Sequence, residues 1–510
     1  MRIDNSIRNM KYNILAQIFN LLVQFISRTV FIKILGNEYL GINGLFSNIL
    51  TILSLADMGI GTVLIYSMYK PLAEKDEDKM KALMNMYRKI YNIIAIIVLA
   101  AGLCVTPFLH IFIKNMPDIA HIKFIFILYL LNTVVSYLCI YKISIINADQ
   151  KNYIVTIRQQ IFNLVANIFM IIVLIATHNF ILYLITQIMF SMISNIYISK
   201  LAENMYPFIK DTKGYQLTKE EKKQIKKDTF AMMLHKIGGV VVSGTDNLIM
   251  SAMIGLEAVG IYSNYLLIIN AIKRFATQYF TSMSASIGNL NATTDKEYSY
   301  SIFKKVYFGN FWMYTFCSIC LYCLLNPFIT IWLGEQYIFS NAIVAAIVIS
   351  FYIDGMRQSV LIFRDAMGIF TKDQIKPVIE AIVNLIVSII LTLKYGIIGI
   401  ILGTIISMLF VCVFVEAYVL FKYGFNKKNI DFIVIYVKYV IIGIISLLVT
   451  CAGNYLIKAN ETVVIFAIRL MISVILSNLT ILMLTFKSEE FRYFYTEIFS
   501  KIKFRFIKKH

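Results

Sequence analysis

Long apolar runs, cut at intervals by short polar ones, set the pattern of this chain. Windows able to cross a bilayer as helices fall at 12–35, 40–66, 90–113, 122–146, 154–176 and 180–201. After a polar break they resume at 230–253, 256–283, 306–331, 342–369, 378–393, 397–421, 432–457 and 463–486. The pattern predicts an all-α membrane protein with fourteen transmembrane helices, the 378–393 window being the shortest. The polar segment ENMYPFIKDTKGYQLTKEEKKQIKKDT, between the sixth and seventh windows, is the longest break and reads as a linker between two bundles.

Composition agrees. Of 510 residues, 59% are hydrophobic and 15% charged, with a mean hydropathy of +0.73, which a water-soluble fold of this length would not carry. A net charge of +19 could suggest nucleic acid, but the positions of the charges argue otherwise. Most Lys and Arg residues collect at alternate boundaries between windows, around 2–11, 70–89, 142–158, 200–227, 296–305, 364–376, 422–438 and 487–509, whereas Lys33, Lys114, Lys123, Lys394 and Lys458 stand on the other side. This asymmetry is an orientation signal that puts both termini in the cytoplasm and accounts for the charge without a nucleic-acid partner. The first apolar run is long and contains Arg28, so it reads as a membrane helix and not as a signal peptide. The seven cysteines lie in or at the ends of apolar windows, and Cys317, Cys320 and Cys323 read as small core residues. The histidines show no metal-ligand spacing, and no cofactor is expected.

A short motif repeats across the linker. LGNEYLGINGLFSNIL begins at Leu35 and IGLEAVGIYSNYLL at Ile254; both carry G-x-E-x-x-G-I, as Gly36, Glu38, Gly41, Ile42 and as Gly255, Glu257, Gly260, Ile261, and each is soon followed by Ser-Asn. An even number of windows separates the copies, so they enter the membrane in the same direction. Parallel repeats about an axis along the membrane normal are a transporter architecture with a site between the halves. The expected organisation is a six-helix bundle at 1–204, a cytoplasmic linker at 205–229, a second six-helix bundle at 230–428, two extra helices at 429–486 and a tail at 487–510.

Polar residues inside the windows form stripes. Asn13, Gln17, Asn20, Gln24 and Arg28 share one face of the first window. Ser47, Thr51, Ser54, Asp57 and Gly61 follow in the second, His235, Gly239, Ser243 and Asp246 in the seventh, and Asn264, Ala271, Arg274 and Gln278 in the eighth. Counting from helix ends places Arg28 and Asp246 about 10 Å from the outer end, and Asp57, Lys273, Arg274 and Arg357 about 25 Å from it. Against Arg28, Lys236, Lys273, Arg274 and Arg357, the windows offer Asp57, Asp246, Asp354 and Glu416. Buried cations in excess call for an anion from outside the chain, and a phosphate or pyrophosphate fits.

Three stretches carry a resemblance: RTVFIKILGNEYLGINGLFSNILTILSLADMGIGTVLIYSMYKPLAEKD, GTDNLIMSAMIGLEAVGIYSNYLLI and FRDAMGIFTKDQIKPVIEAIVNLIVSIILTLKYGIIGIILGTIIS. They resemble the Wzx-type oligosaccharide flippases, in the polysaccharide transporter branch of the multidrug/oligosaccharidyl-lipid/polysaccharide exporter superfamily. The resemblance implies a polar cavity lined by helices one, two, seven and eight. It implies movement of undecaprenyl-pyrophosphate-linked repeat units between leaflets of the bacterial cytoplasmic membrane for capsule or O-antigen-like polysaccharide, by alternating access coupled to H+ or Na+, beside a polymerase and glycosyltransferases. Relatives that flip lipid II hold pyrophosphate with cavity arginines, and Arg28 matches the first-helix position in kind. On this reading Arg28, helped by Lys236, Lys273, Arg274 or Arg357, holds pyrophosphate; Asn20, Gln24, Ser54, Ser243 and Asn264 meet the sugars; Asp57 and Asp246 couple the ion. A drug or cation antiporter of the same superfamily would want acids without surplus cations. A membrane polymerase or glycosyltransferase would want a substantial loop outside the hydrocarbon, and the expected outer loops are short. The tail FKSEEFRYFYTEIFSKIKFRFIKKH interleaves aromatic and basic residues, as an amphipathic helix on anionic membrane lipids does.

Overall fold

A computed structural model describes residues 2–496 other than 55–59, 115, 116, 118, 150, 213 and 374, and their side chains except at 2–16, 62, 138, 228, 230–243, 281, 282, 284–286, 289, 292, 293, 370 and 371. The described residues are helical, with no strand among them. The first group comprises α1 (Arg2–Leu35), α2 (Asn37–Leu53), α3 (Ile60–Glu74), α4 (Glu77–Val105), α5 (Ile122–Ala148), α6 (Asn152–Thr177), α7 (Phe180–Met205) and α8 (Lys219–Met253). There follow α9 (Leu256–Thr293), α10 (Lys296–Trp332), α11 (Asn341–Ala366), α12 (Lys376–Tyr395), α13 (Ile397–Ser407), α14 (Phe414–Val419), α15 (Asn429–Tyr455), α16 (Val463–Thr485) and α17 (Glu489–Phe494). Two π-helical stretches, Met408–Val413 and Leu420–Phe425, flank α14, so that α13 and α14 belong to one span.

Among the described residues ten helices are long and apolar enough to cross a membrane, or eleven with α5, which bends by 47° near Tyr137. The protein is therefore a multi-pass membrane protein. Each expected window falls at least in part on described helix, but the second, 40–66, is divided between α2, of only 17 residues, and α3, with 55–59 outside the described residues, and much of α8 lies among side chains outside the description.

Local chemistry fixes where helices begin. The Asp76 carboxylate accepts from Lys79 N at 2.9 Å and starts α4. Thr218 and Glu221 form a capping box, each side chain accepting from the other residue's backbone N–H. Helix α8 consequently begins at Lys219, well inside the segment expected to be linker. The rest of that segment is strapped to α4: Asn85 donates to the Tyr215 carbonyl at 2.9 Å, Lys81 sits over the Tyr215 ring at 4.7 Å, and Lys79 pairs with Glu221 at 2.7 Å.

By packing, the chain falls into two compact units, Met1–Ser263 and Asn264–His510, so that α8 and the first turns of α9 group with the first. Within the first unit α2 and α3 pack on α8, and α1 packs on α6, where Ser27 donates to Asn167 at 2.9 Å. The second unit has an aromatic core around Phe303, Tyr307, Phe311, Phe363, Phe421 and Tyr439, with the Phe311 and Tyr439 rings stacked 4.2 Å apart. The expected extra helices, α15 and α16, pack on α10 in this unit. Small polar residues join them: Ser446 donates to the Ser477 carbonyl at 3.1 Å, and Asn454 to Ser473 at 3.0 Å. The first turn of the tail docks rather than floats, Phe491 stacking on Trp312 and Phe494 lying against Phe308. The rest of the expected tail helix lies outside the described residues.

Candidate substrate site

The repeated motif builds a crossing in which each copy braces the other. Gly36 and Gly255, equivalent in the repeat, both have positive φ, 84° and 141°, and end one helix while the next begins one residue later. Only glycine enters that region without strain. At Gly41 a side chain would strike the backbone of Leu256, and at Gly260 one would meet the Asn37 carbonyl at 2.5 Å. The offset that carries Gly41 to Gly260 also carries Asn37 to Leu256, so each contact is the counterpart of the other. This reciprocal packing relates the two copies of the motif as counterparts of one another.

The symmetry breaks at the position after this crossing, and a charge enters there. Gly44 of α2 has Ser263 of α9 as its equivalent by the same offset, and Ser263 is the residue that Arg28 reaches. The guanidinium donates to the Ser263 carbonyl at 2.7 Å and to its hydroxyl at 2.9 Å, while the hydroxyl donates to the Gly260 carbonyl at 2.7 Å. Arg28 is half-buried, and no acidic partner for it is found among the described residues. A guanidinium here is hydrogen-bonded but not neutralised, the state that receives an anion.

Elsewhere on the first-helix stripe Asn20 is half-buried and Gln24 exposed, whereas Gln17 keeps its Oε1 buried with no partner among the described residues and the Asn13 side chain lies outside them. Ser54 closes α2, half-buried. Asp246 is half-buried beside Tyr262. Asn264, by contrast, is 0% exposed, and neither of its amide atoms finds a partner among the described residues. Asp57 and the side chains of Lys236 and Ser243 lie outside the described residues.

The second unit treats its charges differently. Arg357 on α11 donates to both carboxylate oxygens of Glu416, at 2.9 and 2.7 Å, and Glu416 is fully buried. Lys376, at the start of α12, donates to the same carboxylate. Asp354 lies 3.6 Å from Arg357 and 2.6 Å from Lys273, and Glu380 completes the cluster 4.0 Å from Arg357. Three cations thus face three carboxylates, a balanced set. Sequence reasoning missed Lys376, because the eleventh apolar window begins at residue 378 and leaves the start of α12 among loop residues, and it passed over Glu380, which lies inside that window. Their spacing of four on a helix was the available signal. Arg274 remains exposed, and no ion pair to it is found among the described residues.

Comparison places this arrangement among known folds. The fold is similar to that of the lipid II flippase MurJ in an inward closed conformation, with a TM-score of 0.66 and 17% identity over 92% of this chain and 97% of that one. It is also similar to an inward-facing multidrug resistance MATE family transporter of the MOP superfamily, with a TM-score of 0.57 and 13% identity over 79% of this chain and 94% of the other. A third similar structure is the MATE transporter VcmN of Vibrio cholerae in the bent form, with a TM-score of 0.52 and 13% identity over 84% of this chain and 99% of that one. At these identities the likeness is one of fold. No curated protein sequence matches the chain. The family described as polysaccharide biosynthesis protein matches residues 6–284, more than half of the sequence and all of the crossing that holds Arg28, and the chain belongs to that family.

Proposed function

We propose that the protein is a flippase of the Wzx type, with fourteen membrane spans, that carries undecaprenyl-pyrophosphate-linked oligosaccharide units from the inner to the outer leaflet of the bacterial cytoplasmic membrane. The observation that carries this reading is Arg28: a half-buried guanidinium in the first span, whose partners among the described residues are the neutral carbonyl and hydroxyl of Ser263. A pyrophosphate oxygen would replace those neutral acceptors with an anionic one, turning the contact into a bidentate ion pair of the kind arginine makes with phosphate. Family membership and the fold shared with a lipid II flippase support the same class.

In this reading Arg28 anchors the pyrophosphate, with Lys236 and Arg274 assisting; Arg274 follows Ser263 by about three helical turns on the same face of α9. Lys273, paired with Asp354, assists only once that pair opens. Arg357, held by Glu416 on two sides, serves the second unit's framework. Asn20, Gln24, Ser54 and Ser243 face the sugars, and Asp57 and Asp246 are the carboxylates available for H+ or Na+ coupling. The prenyl chain stays in lipid. A drug or cation antiporter has no use for an uncompensated arginine in its path. Glycosyltransferases and a polymerase are the expected neighbours in the pathway.

The test is reconstitution of the purified chain into liposomes, with lipid-linked glycan loaded in one leaflet and its appearance in the other followed by an impermeant sugar-oxidising reagent. Protein-dependent transfer that Arg28→Ala reduces at least about tenfold is the expected result. Transfer undiminished in Arg28→Ala removes the anchor, and polymerisation of the glycan by the purified chain replaces the whole reading.

A further inference from the structure

Two helices of the first unit are exposed on two opposite faces, and only one face of each suits lipid. On α6 the exposed Ile161, Ile168, Ile172 and Ile175 form the apolar stripe of a membrane-facing side. Asn163 is exposed as well, yet it lies about 200° round the helix from Ile161, at about 100° per residue. On α1 the exposed Ile18, Leu22 and Ile26 form the apolar stripe, and the exposed Gln24 lies about 200° round from Leu22. A polar side chain open on the side away from lipid lines a wet hollow.

Neighbouring helices cover the flanks of α6 and leave this second face free. Phe162 and Phe169 pack on Tyr197 and Phe190 of α7, with ring centroids 5.4 and 5.3 Å apart. On the other flank Asn167 accepts from Ser27 of α1 at 2.9 Å. Farther along the same faces the hollow closes. Met170 and Leu174, seven and eleven residues on from Asn163, are buried, as is Phe31, seven on from Gln24 and eleven on from Asn20. The Phe31 ring packs edge-on against Phe180 and Tyr183 of α7, at 5.6 Å from each. With α1 and α6 both running outward, as the charge pattern expects, the two faces open toward the cytoplasm and close toward the outside.

The Ser27–Asn167 bond sets the register between the helices. Gln24 and Asn163 stand three and four residues back from it, at one level, and about 6 Å on the cytoplasmic side of Arg28 along α1. Neither α1 from Gln17 to Ser27 nor α6 from Gln159 to Thr177 carries a charged residue. At this level a phosphate would find no cation and a metal ion no carboxylate. An apolar ligand would strip water from the amides without replacing its hydrogen bonds. Carboxamides donate and accept, as sugar hydroxyl and acetamido groups do. In a lipid-linked glycan the pyrophosphate joins the lipid to the first sugar, so an anchor at Arg28 holds that sugar within a ring's width of the amides. From this geometry we infer that Asn163, with Gln24, contacts the sugar joined directly to the pyrophosphate, and that α6, outside the four helices expected to line the cavity, sets specificity for it. The inference rests on the flippase reading and adds to it which sugar is read and from which helix.

The experiment measures retention of synthetic undecaprenyl pyrophosphate by the full-length purified chain, read by native mass spectrometry. The lipid is bare or carries one glucose, galactose, N-acetylglucosamine or N-acetylgalactosamine. Wild type is expected to hold at least one of the four glycosylated forms more tightly than the bare lipid. Asn163→Ala should reduce that preference about tenfold and leave the bare lipid unchanged, whereas Ile161→Ala, on the lipid side of the same helix, should match wild type. Arg28→Ala should weaken every form. The sugar contact is overturned, with the Arg28 anchor standing, if wild type holds the bare lipid as tightly as all four, or if folded Asn163→Ala keeps the preference or weakens bare and glycosylated lipid equally. The same follows if Ile161→Ala loses the preference too, since packing of α6 then accounts for it. If wild type retains no form at all, the flippase reading fails and the sugar contact with it.

Discussion

Arg28 and Ser263, 235 residues apart, are joined by two hydrogen bonds from one guanidinium, to the Ser263 carbonyl at 2.7 Å and its hydroxyl at 2.9 Å. The serine is not left wanting without them, because its hydroxyl still donates to the Gly260 carbonyl at 2.7 Å. Removing Arg28 therefore strands no buried charge and no buried donor.

Arg28→Ala should consequently change stability by under about 3 kcal/mol, the upper size of a hydrogen bond involving a charged group, with normal abundance, while export of surface polysaccharide falls at least about tenfold. Arg28→Lys should fall between, since an ammonium lacks the planar fork that engages two acceptors. Thermal unfolding in detergent alongside an export assay separates the two effects, and a large stability loss in the alanine variant would contradict this account of the site.

The Arg357–Glu416 pair should behave oppositely. Glu416 is 0% exposed and receives both Arg357 and Lys376. Glu416→Ala leaves two cations facing each other in the interior and should cost about 3 to 5 kcal/mol, the usual penalty for breaking a buried pair from one side. Replacing Arg357 and Glu416 together with apolar residues should not restore stability unless Lys376 is replaced too. Recovery in that double variant would show that Lys376 finds another partner.

The reciprocal crossing predicts matched effects at equivalent positions. Gly41→Ala and Gly260→Ala each drive a methyl group into opposing backbone, at Leu256 and Asn37, and each should destabilise by about 1 to 3 kcal/mol, as overpacking generally does. At Gly44 the added methyl would meet only the Val259 side chain, at 3.2 Å, which has room to adjust. Gly44→Ala should therefore be the mildest of the three. Unfolding temperatures of the three variants check the ranking.

The strap between the α4 start and the α8 start should respond to acid. The Lys79 ammonium and the Thr218 backbone N–H hold the Glu221 carboxyl below its usual range. A carboxyl whose folded value is depressed stabilises fully above its unfolded value, about 4.3, and loses that contribution as pH falls through the lower folded value. Protection of amides 215–225 from exchange, taken relative to Glu221→Gln at the same pH so that the intrinsic pH dependence cancels, should thus be level from pH 6 to 8 and fall in acid. The pair is largely exposed, so the effect is expected in local exchange rather than in global stability.

Much of this protein is decided along the sequence. The apolar windows set the helices, because a bilayer accepts only segments whose backbone bonds are satisfied internally, and the side bias of Lys and Arg gives the expected orientation. The G-x-E-x-x-G-I copies were legible as a repeat, whereas the close backbone approach at their glycines emerged only in the folded chain. The sequence also marked Arg28 as a charge needing an explanation. Only the folded chain distinguished it from Arg357, because charge balance depends on which side chains meet: α12 delivers Lys376 and Glu380 to Glu416, whereas the α9 turn offers Arg28 only neutral oxygens. Helix ends were decided by short-range caps that hydropathy does not register, as at Thr218, where a capping box carries α8 into the expected linker. Burial likewise depends on neighbours distant in sequence, which is why Asn264, polar and on a striped face, is enclosed completely while Gln24 is left exposed.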